Sequence, residues 1–260
     1  MASSSEVGHA KNMANFESLI SFCTGLGASY NPSKSSLQIT QLQTVLTNTK
    51  NNLANVIATN TAFNSAVNER VNAFEGLKKL STQLVNALSA TDASKATIND
   101  AKMYNTKMQG KSVKPTKADA GKMTKADSGI TETTSAETTL TASSKSISTS
   151  QQSYDNIVEH FAKIIDVLAS ETSYNPNETK LQTTTLSTQL TDLKNKNTAV
   201  INAYTTVSNA RITRNKSLYE DKTGLCDIAQ EVKNYVKSIY GATAPEYKQI
   251  SSLKFNKLKN

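Results

Sequence analysis

Residues 29–50 read SYNPSKSSLQITQLQTVLTNTK, and residues 173–194 read SYNPNETKLQTTTLSTQLTDLK, 144 positions later. Extended without a gap, 29–70 against 173–214, the comparison gives 18 identities in 42 pairs. Among them are Leu42 with Leu186, Leu46 with Leu190, Val56 with Val200, Ile57 with Ile201 and Arg70 with Arg214. A bias toward Thr and Asn produces chance matches. It does not place one tetrapeptide twice in register with the same apolar positions, so the chain reads as an internal duplication. Beyond this block the second copy carries about eight extra residues, and a weaker likeness sets Ile98 opposite Ile250 and Lys102 opposite Lys254.

After each SYNP the apolar residues recur at alternating steps of three and four. In the first copy the row runs through Leu42, Leu46, Leu53, Val56, Phe63, Phe74, Leu77, Leu84 and Leu88. In the second it runs through Leu186, Leu193, Val200, Tyr204, Leu218, Leu225, Ile228 and Val232. Such spacing over about seven heptads is the coiled-coil pattern. A helix from about Lys34 to Ala90 spans roughly 85 Å. Gly76 and Gly224 interrupt the rows and mark bends, since glycine costs a helix about 1 kcal/mol. Residues 12–26 and 147–168 carry a similar period before each SYNP. Pro32 and Pro176 suit the start of a helix, with Asn31 and Asn175 as N-caps and Glu178 completing a capping box. A four-residue connection then folds each copy into a helical hairpin.

The fold this predicts is all-α: an elongated, coiled-coil-like antiparallel bundle built from two duplicated long helical hairpins. The expected divisions are a disordered N-terminal tail at 1–10, hairpin copy 1 at 11–108, and a Lys-rich linker loop at 109–129. Hairpin copy 2 follows at 130–260, with a short helix from about Glu246 and a basic tail, both copies sharing one bundle. Composition agrees. Only 37% of residues are hydrophobic, which suits a narrow seam between helices better than a thick core. The 9 Gly and 4 Pro are too few for the turns of an all-β chain of this length.

The net charge of +8 is uneven. From Ala101 to Ser150 there are 8 Lys against 4 acidic residues, and from Ser251 to Asn260 there are 3 Lys and no acid. Lys107, Lys111, Lys114, Lys117, Lys122 and Lys125 form a loose basic run that an anionic partner could contact. With Tyr104 the one aromatic near it and no Arg, base stacking and bidentate readout have little to work with. A solvated linker is the favoured reading.

Chemical motifs are scarce. Cys23 and Cys226 form no CxxC and read as small buried apolar residues. His9 falls in the tail, and His160 is a lone helical histidine at a surface or boundary, so no metal site and no cofactor are expected. No Gly-rich phosphate loop and no nucleophile elbow occur. No catalytic residue is assigned, and the chain is expected not to be an enzyme. Arg70, Arg211 and Arg214 fall on the seam, either as a register-setting polar layer or as side chains that snorkel to water. Tyr30, Tyr174 and Tyr247 are candidate partner contacts, although Tyr30 and Tyr174 can equally pack over their turns.

The N-terminus has no apolar signal region and no stretch approaches the length of a membrane span, which points to a cytoplasmic protein without an integral membrane segment. Export without a cleaved signal stays open. In texture the chain resembles phage, filament and helical-toxin proteins, but it shares no motif with them and lacks the hydrophobic tongue of a helical pore-former. The leading expectation is a structural or interaction protein, a rigid rod for scaffolding or self-assembly through a protein partner or its own copies. The alternatives are a nucleic-acid-associated protein using the basic linker and tail, and a secreted helical effector acting on membranes.

Overall fold

The computed structural model describes residues 4–111 and 152–257, with side chains from residue 8 onward. It is all-helical, with no strand among the described residues. The α-helices are α1 (Ser4–Gly25), α2 (Ile39–Phe74), α3 (Leu77–Ser89), α4 (Lys95–Met108), α5 (Tyr154–Ser170), α6 (Thr183–Tyr219), α7 (Leu225–Tyr240) and α8 (Pro245–Ser251).

In these Thr- and Ser-rich helices many hydroxyls turn inward on their own backbone. Thr44 donates to Thr40 O, Thr47 to Gln43 O, Thr191 to Ser187 O and Thr205 to Ile201 O, each at 2.9–3.1 Å. The hydroxyl that would compete for backbone in another conformation is thus spent within the helix.

Both SYNP segments take the same local form, and it is not the tight four-residue turn the sequence suggests. A 3-10 turn at Ser35–Leu37 precedes α2, and one at Thr179–Leu181 precedes α6. Asn31, Asn175 and Glu178 cap neither long helix: the residues before the 3-10 turns are Lys34 and Glu178, and neither makes a side-chain cap. The tyrosines organise the turn instead. Tyr30 OH donates to Leu37 O at 2.7 Å, and Tyr174 OH donates to Leu181 O at 2.9 Å. Each bond satisfies a carbonyl at the foot of a long helix and carries Leu37 or Leu181 into the core.

Two further expectations are corrected. The span 34–90 is not one helix, because α2 ends at Phe74 and Gly76 adopts φ 75°, a left-handed conformation that glycine reaches without a Cβ clash. The bend expected at Gly224 has a steric basis, since a Cβ there would lie 2.6 Å from Glu220 N. Residues 4–10 are not a disordered tail: α1 begins at Ser4, and His9 is 1% exposed. The first apolar row therefore extends further back than its hydrophobic residues alone reveal. The expected helix near Glu246 is α8, with Pro245 in its first turn and Ile250 buried.

The chain divides into two compact units, which do not follow the boundaries expected for the two copies. Unit 1 comprises residues 1–69 and 199–260, and unit 2 comprises 70–198. In unit 1, Phe16, Leu19 and Cys23 of α1 share a core with Leu42 of α2, Leu218 of α6, Val232 and Val236 of α7, and Ile250 of α8. The α2 and α6 portions of this unit run antiparallel: Phe63 meets Tyr204 with ring centroids 6.0 Å apart, and Leu46 lies in the same cluster as Leu218. In unit 2, Phe161, Ile164 and Leu168 of α5 pack with Leu84 and Leu88 of α3, Ala101 and Met108 of α4, and Leu186 and Leu193 of α6. Burying each of these large side chains is worth about 1.5–3 kcal/mol. Each unit thus draws its helices from both halves of the sequence.

Candidate functional site

Two places in unit 1 have surface chemistry beyond core packing. The first is the middle of the long helices. No charged residue occurs from Asn51 to Asn68 in α2, or from Ala199 to Ala210 in α6. Within this neutral stretch Ile57 is 66% exposed, Ile201 60% and Tyr204 60%, with Ile212 at 52% just beyond it. Ile201, Tyr204 and Ile212 stand three and eight residues apart, which places them on one face of α6. Ile57 rims a groove of about 410 Å³ that is closed by Leu53 and Val56 on one side and Arg211 on the other.

The second is the seat of the segment after α8. Residues 253–257 have no regular secondary structure, so their backbone groups need partners from elsewhere. Asn12, fully buried on α1, supplies two of them. Its Nδ2 donates to Asn256 O at 2.8 Å, and its Oδ1 accepts from Asn256 N at 2.9 Å. Asn15 Nδ2 donates to Lys254 O at 2.7 Å. From α7, Lys233 Nζ donates to Leu253 O and, at 3.5 Å, to Ser251 O. The Phe255 ring stands edge-on to Phe16, with Lys233 Nζ 5.2 Å from its centroid. Lys257 closes the seat in an ion pair with Asp227 at 2.6 Å. The Lys257 hydrogen bond holds the Asp227 carboxyl below its usual range, and burial lowers the Lys233 ammonium.

Behind this seat lies a polar cluster. His9 Nδ1 and Tyr219 OH are 2.6 Å apart, and Asn12 Nδ2 also reaches Tyr219 OH and Cys226 Sγ. His9 and His160 are both buried, contrary to the tail and surface positions expected for them. Burial lowers the His160 imidazole, with a further push from Lys107. Cys23 and Cys226 are buried free thiols, as expected, and burial pushes each up to about 11.

The residues singled out from sequence fare unevenly. Tyr30 and Tyr174 are buried over their turns, the alternative position expected for them; burial raises both phenols, Tyr174 to about 12. Tyr247 is half-buried against the unit 1 core, with Lys237 Nζ 5.8 Å from its ring. Arg70 belongs to unit 2 and lies 4.0 Å over the Tyr154 ring. Arg214 belongs to unit 1, is buried, and donates from Nε and Nη2 to Asn215 Oδ1. Arg211 is exposed, so it joins no buried layer. Of the basic run, Lys107 and Lys111 flank the end of α4, Lys107 Nζ lying 5.8 Å from the Tyr104 ring. Lys114, Lys117, Lys122 and Lys125 lie outside the described residues.

Sequence reasoning missed Asn12, Asn15, Lys233 and the exposed isoleucines. The available signal was Asn at a core-facing position of α1, and an apolar residue beside the seam at both Ile57 and Ile201.

Among the described residues no helix is long and apolar enough to cross a membrane, and no three His, Cys, Asp or Glu side chains come together as metal ligands would. No known protein family matches the chain, and no characterised protein or solved structure does.

Proposed function

We propose that this chain is a non-enzymatic structural protein that self-associates through the neutral middle of its long helices, its two copies forming a long antiparallel bundle. The observation that carries this reading is the uncharged stretch of α2 and α6 bearing Ile57, Ile201 and Tyr204 in the open. The excess of the +8 net charge lies in residues 101–150 and 251–260, outside this stretch of sequence. The stretch itself carries no charge to repel or to desolvate, Arg211 standing at its edge, and aromatic and aliphatic anchors are available. A second copy is therefore the partner that fits. The elongated form is supported by the length of α2 and α6 (36 and 37 residues). The duplication is supported by the matching 3-10 turns and tyrosine bonds at the two SYNP segments.

Sedimentation equilibrium of the wild type against Ile57→Ser/Ile201→Ser/Tyr204→Ser tests this. The expected outcome is a concentration-dependent oligomer that the triple variant loses while keeping its helical spectrum. A monomer at all concentrations, with duplex DNA binding that falls steeply between about 50 and 200 mM salt, supports instead the reading in which the basic run 107–125 contacts nucleic acid.

A further inference from the structure

The seat between α1 and α7 is built to hold a peptide. Four of its bonds run from side chains to the backbone of the seated segment, from Asn12, Asn15 and Lys233. Such bonds recognise an extended chain whatever its side chains. Selectivity comes from two places only: the edge of Phe16 and the ammonium of Lys233 against Phe255, and the Asp227 carboxylate against Lys257. Leu253 adds a half-buried apolar contact.

The polar side chains of the seat owe their positions to this occupant. Asn12 is fully buried, and both ends of its amide bond one residue of the segment, with Nδ2 also reaching Tyr219 OH and Cys226 Sγ behind it. Lys233 is buried with no acidic partner among its hydrogen bonds, and its charge is met by two backbone carbonyls at the end of α8 and the face of one ring. With the segment gone, the Asn12 amide and the Lys233 ammonium exchange these bonds for water. A second segment with the same backbone spacing restores the same bonds. Within the segment, Ser252 follows the last residue of α8 and is exposed, as a hinge should be.

We propose that this α1/α7 groove is a recognition site for an extended Leu-x-Phe-x-Lys segment, occupied here in cis, and that the same segment from a second copy of the chain can take the seat. The six residues from Ser252 to Lys257 reach about 20 Å when extended. This contact is independent of the neutral α2/α6 face.

The test uses full-length chains. Phe255→Ser weakens the segment and leaves the groove intact; Asn12→Ala weakens the groove and leaves the segment intact. A fluorescent, end-capped peptide of residues 252–257 should bind the Phe255→Ser chain at least tenfold more tightly than wild type, where the cis segment competes. It should not bind the Asn12→Ala chain. Carried in the Ile57→Ser/Ile201→Ser/Tyr204→Ser background, which removes association through the α2/α6 face, an equimolar mixture of the two variants should give a 1:1 heterodimer in native mass spectrometry, while each alone stays monomeric. Ile201→Ser/Tyr204→Ser, on the other face, should leave peptide binding unchanged. If Asn12→Ala loses its helical spectrum, Asn15→Ala replaces it, with weakened rather than abolished binding expected. Equal peptide affinity for wild type and Phe255→Ser, or a mixture that stays monomeric, overturns the proposal.

Discussion

Helix α1 in unit 1 and helix α5 in unit 2 begin from the same plan and are covered differently. Each centres on a fully buried phenylalanine, Phe16 or Phe161. On α5 the cover is α4, a regular helix of 14 residues whose backbone is satisfied internally. On α1 it is α8, 7 residues long, and the extended segment that follows. The facing side chains differ accordingly. Four residues before the phenylalanine stands Asn12 in α1 and Ile157 in α5; one residue before it stands Asn15 or His160. Ile157 packs on the apolar cluster, and His160 stacks beside Tyr104 of α4. A helix offers side chains to its neighbour, so it is met by side chains. An extended segment offers bare N–H and C=O groups, so it is met by amides and an ammonium.

The shared plan is tested by removing its centre. Phe16→Ala and Phe161→Ala should each cost about 3–5 kcal/mol in urea unfolding. A much smaller loss for one of them would mean that its unit is not organised around that residue. A smaller effect is expected from exchanging the covers' partners. Asn12→Leu should cost about 1–3 kcal/mol, by stranding the backbone of Asn256, and should accelerate amide exchange at Asn256. Ile157→Asn should cost a similar amount for the opposite reason, an amide placed where α4 offers it no backbone partner. Neutral behaviour of both exchanges would erase the distinction drawn between helix and segment.

The all-helical class was legible because periodicity reports which face is buried, and Leu42, Leu84, Leu186 and Leu225 lie where the period puts them. What periodicity does not report is which helix meets which. Nothing in the repeats of three and four says that α1 shares its core with α7 and α8, so the hairpin-by-hairpin division differed from the compact units. Turn chemistry was half legible. SYNP marked both turns, but the preference of Asn for N-caps competed with a tyrosine bond that closes only in three dimensions. The seat of the final segment was legible only in part for the same reason: Asn12 stands at a core-facing position of α1, but Asn12, Lys233 and Asn256 are distant in sequence, and nothing in the pattern brings them together. Ile57 and Ile201 were visible as an identical pair. Their exposure was not, because a seam fixes which positions are buried and leaves its flanks open.

The two SYNP turns should respond alike, and more gently than the phenylalanines. Tyr30→Phe and Tyr174→Phe each remove one buried hydroxyl from a carbonyl at the foot of a long helix. Each should cost about 0.5–1.5 kcal/mol, the net worth of one hydrogen bond, read as paired shifts in the urea midpoint. If only one variant shifts, the other tyrosine is held by its ring packing alone; Tyr30 has an edge-on neighbour in Tyr235 at 5.3 Å.

The smallest effect distinguishes the two covers by pH. Each has an ion pair close by: Asp227 with Lys257 in unit 1, and Glu159 with Lys163 in unit 2. Hydrogen bonding to the lysine lowers both carboxyls, and Asp227 also accepts from Lys222 N at 3.0 Å. A carboxyl held below its unfolded value contributes stability above that value and loses it as pH falls through the lowered one. The lysines are raised, so their contribution is whole below the ordinary lysine range and is lost only as pH rises beyond it. Across neutral pH neither pair should show any dependence. Below the usual carboxylate range the consequences part. Asp227 sits on α7 and Lys257 on the segment, so its protonation releases a tie between two pieces of chain. Glu159 and Lys163 sit four apart on α5, so theirs ties no second piece of chain by a hydrogen bond, and α4 keeps its apolar cluster with Phe161, with Lys163 Nζ 5.7 Å from the Tyr104 ring. Amide exchange corrected for intrinsic rates should therefore quicken at residues 254–256 as pH drops through the Asp227 transition, while 101–108 stay as they were. Asp227→Asn should reproduce the acid behaviour at neutral pH, and Glu159→Gln should not. Equal quickening of both segments would show that acid loosens the fold generally and that the Asp227 pair has no special hold on the segment.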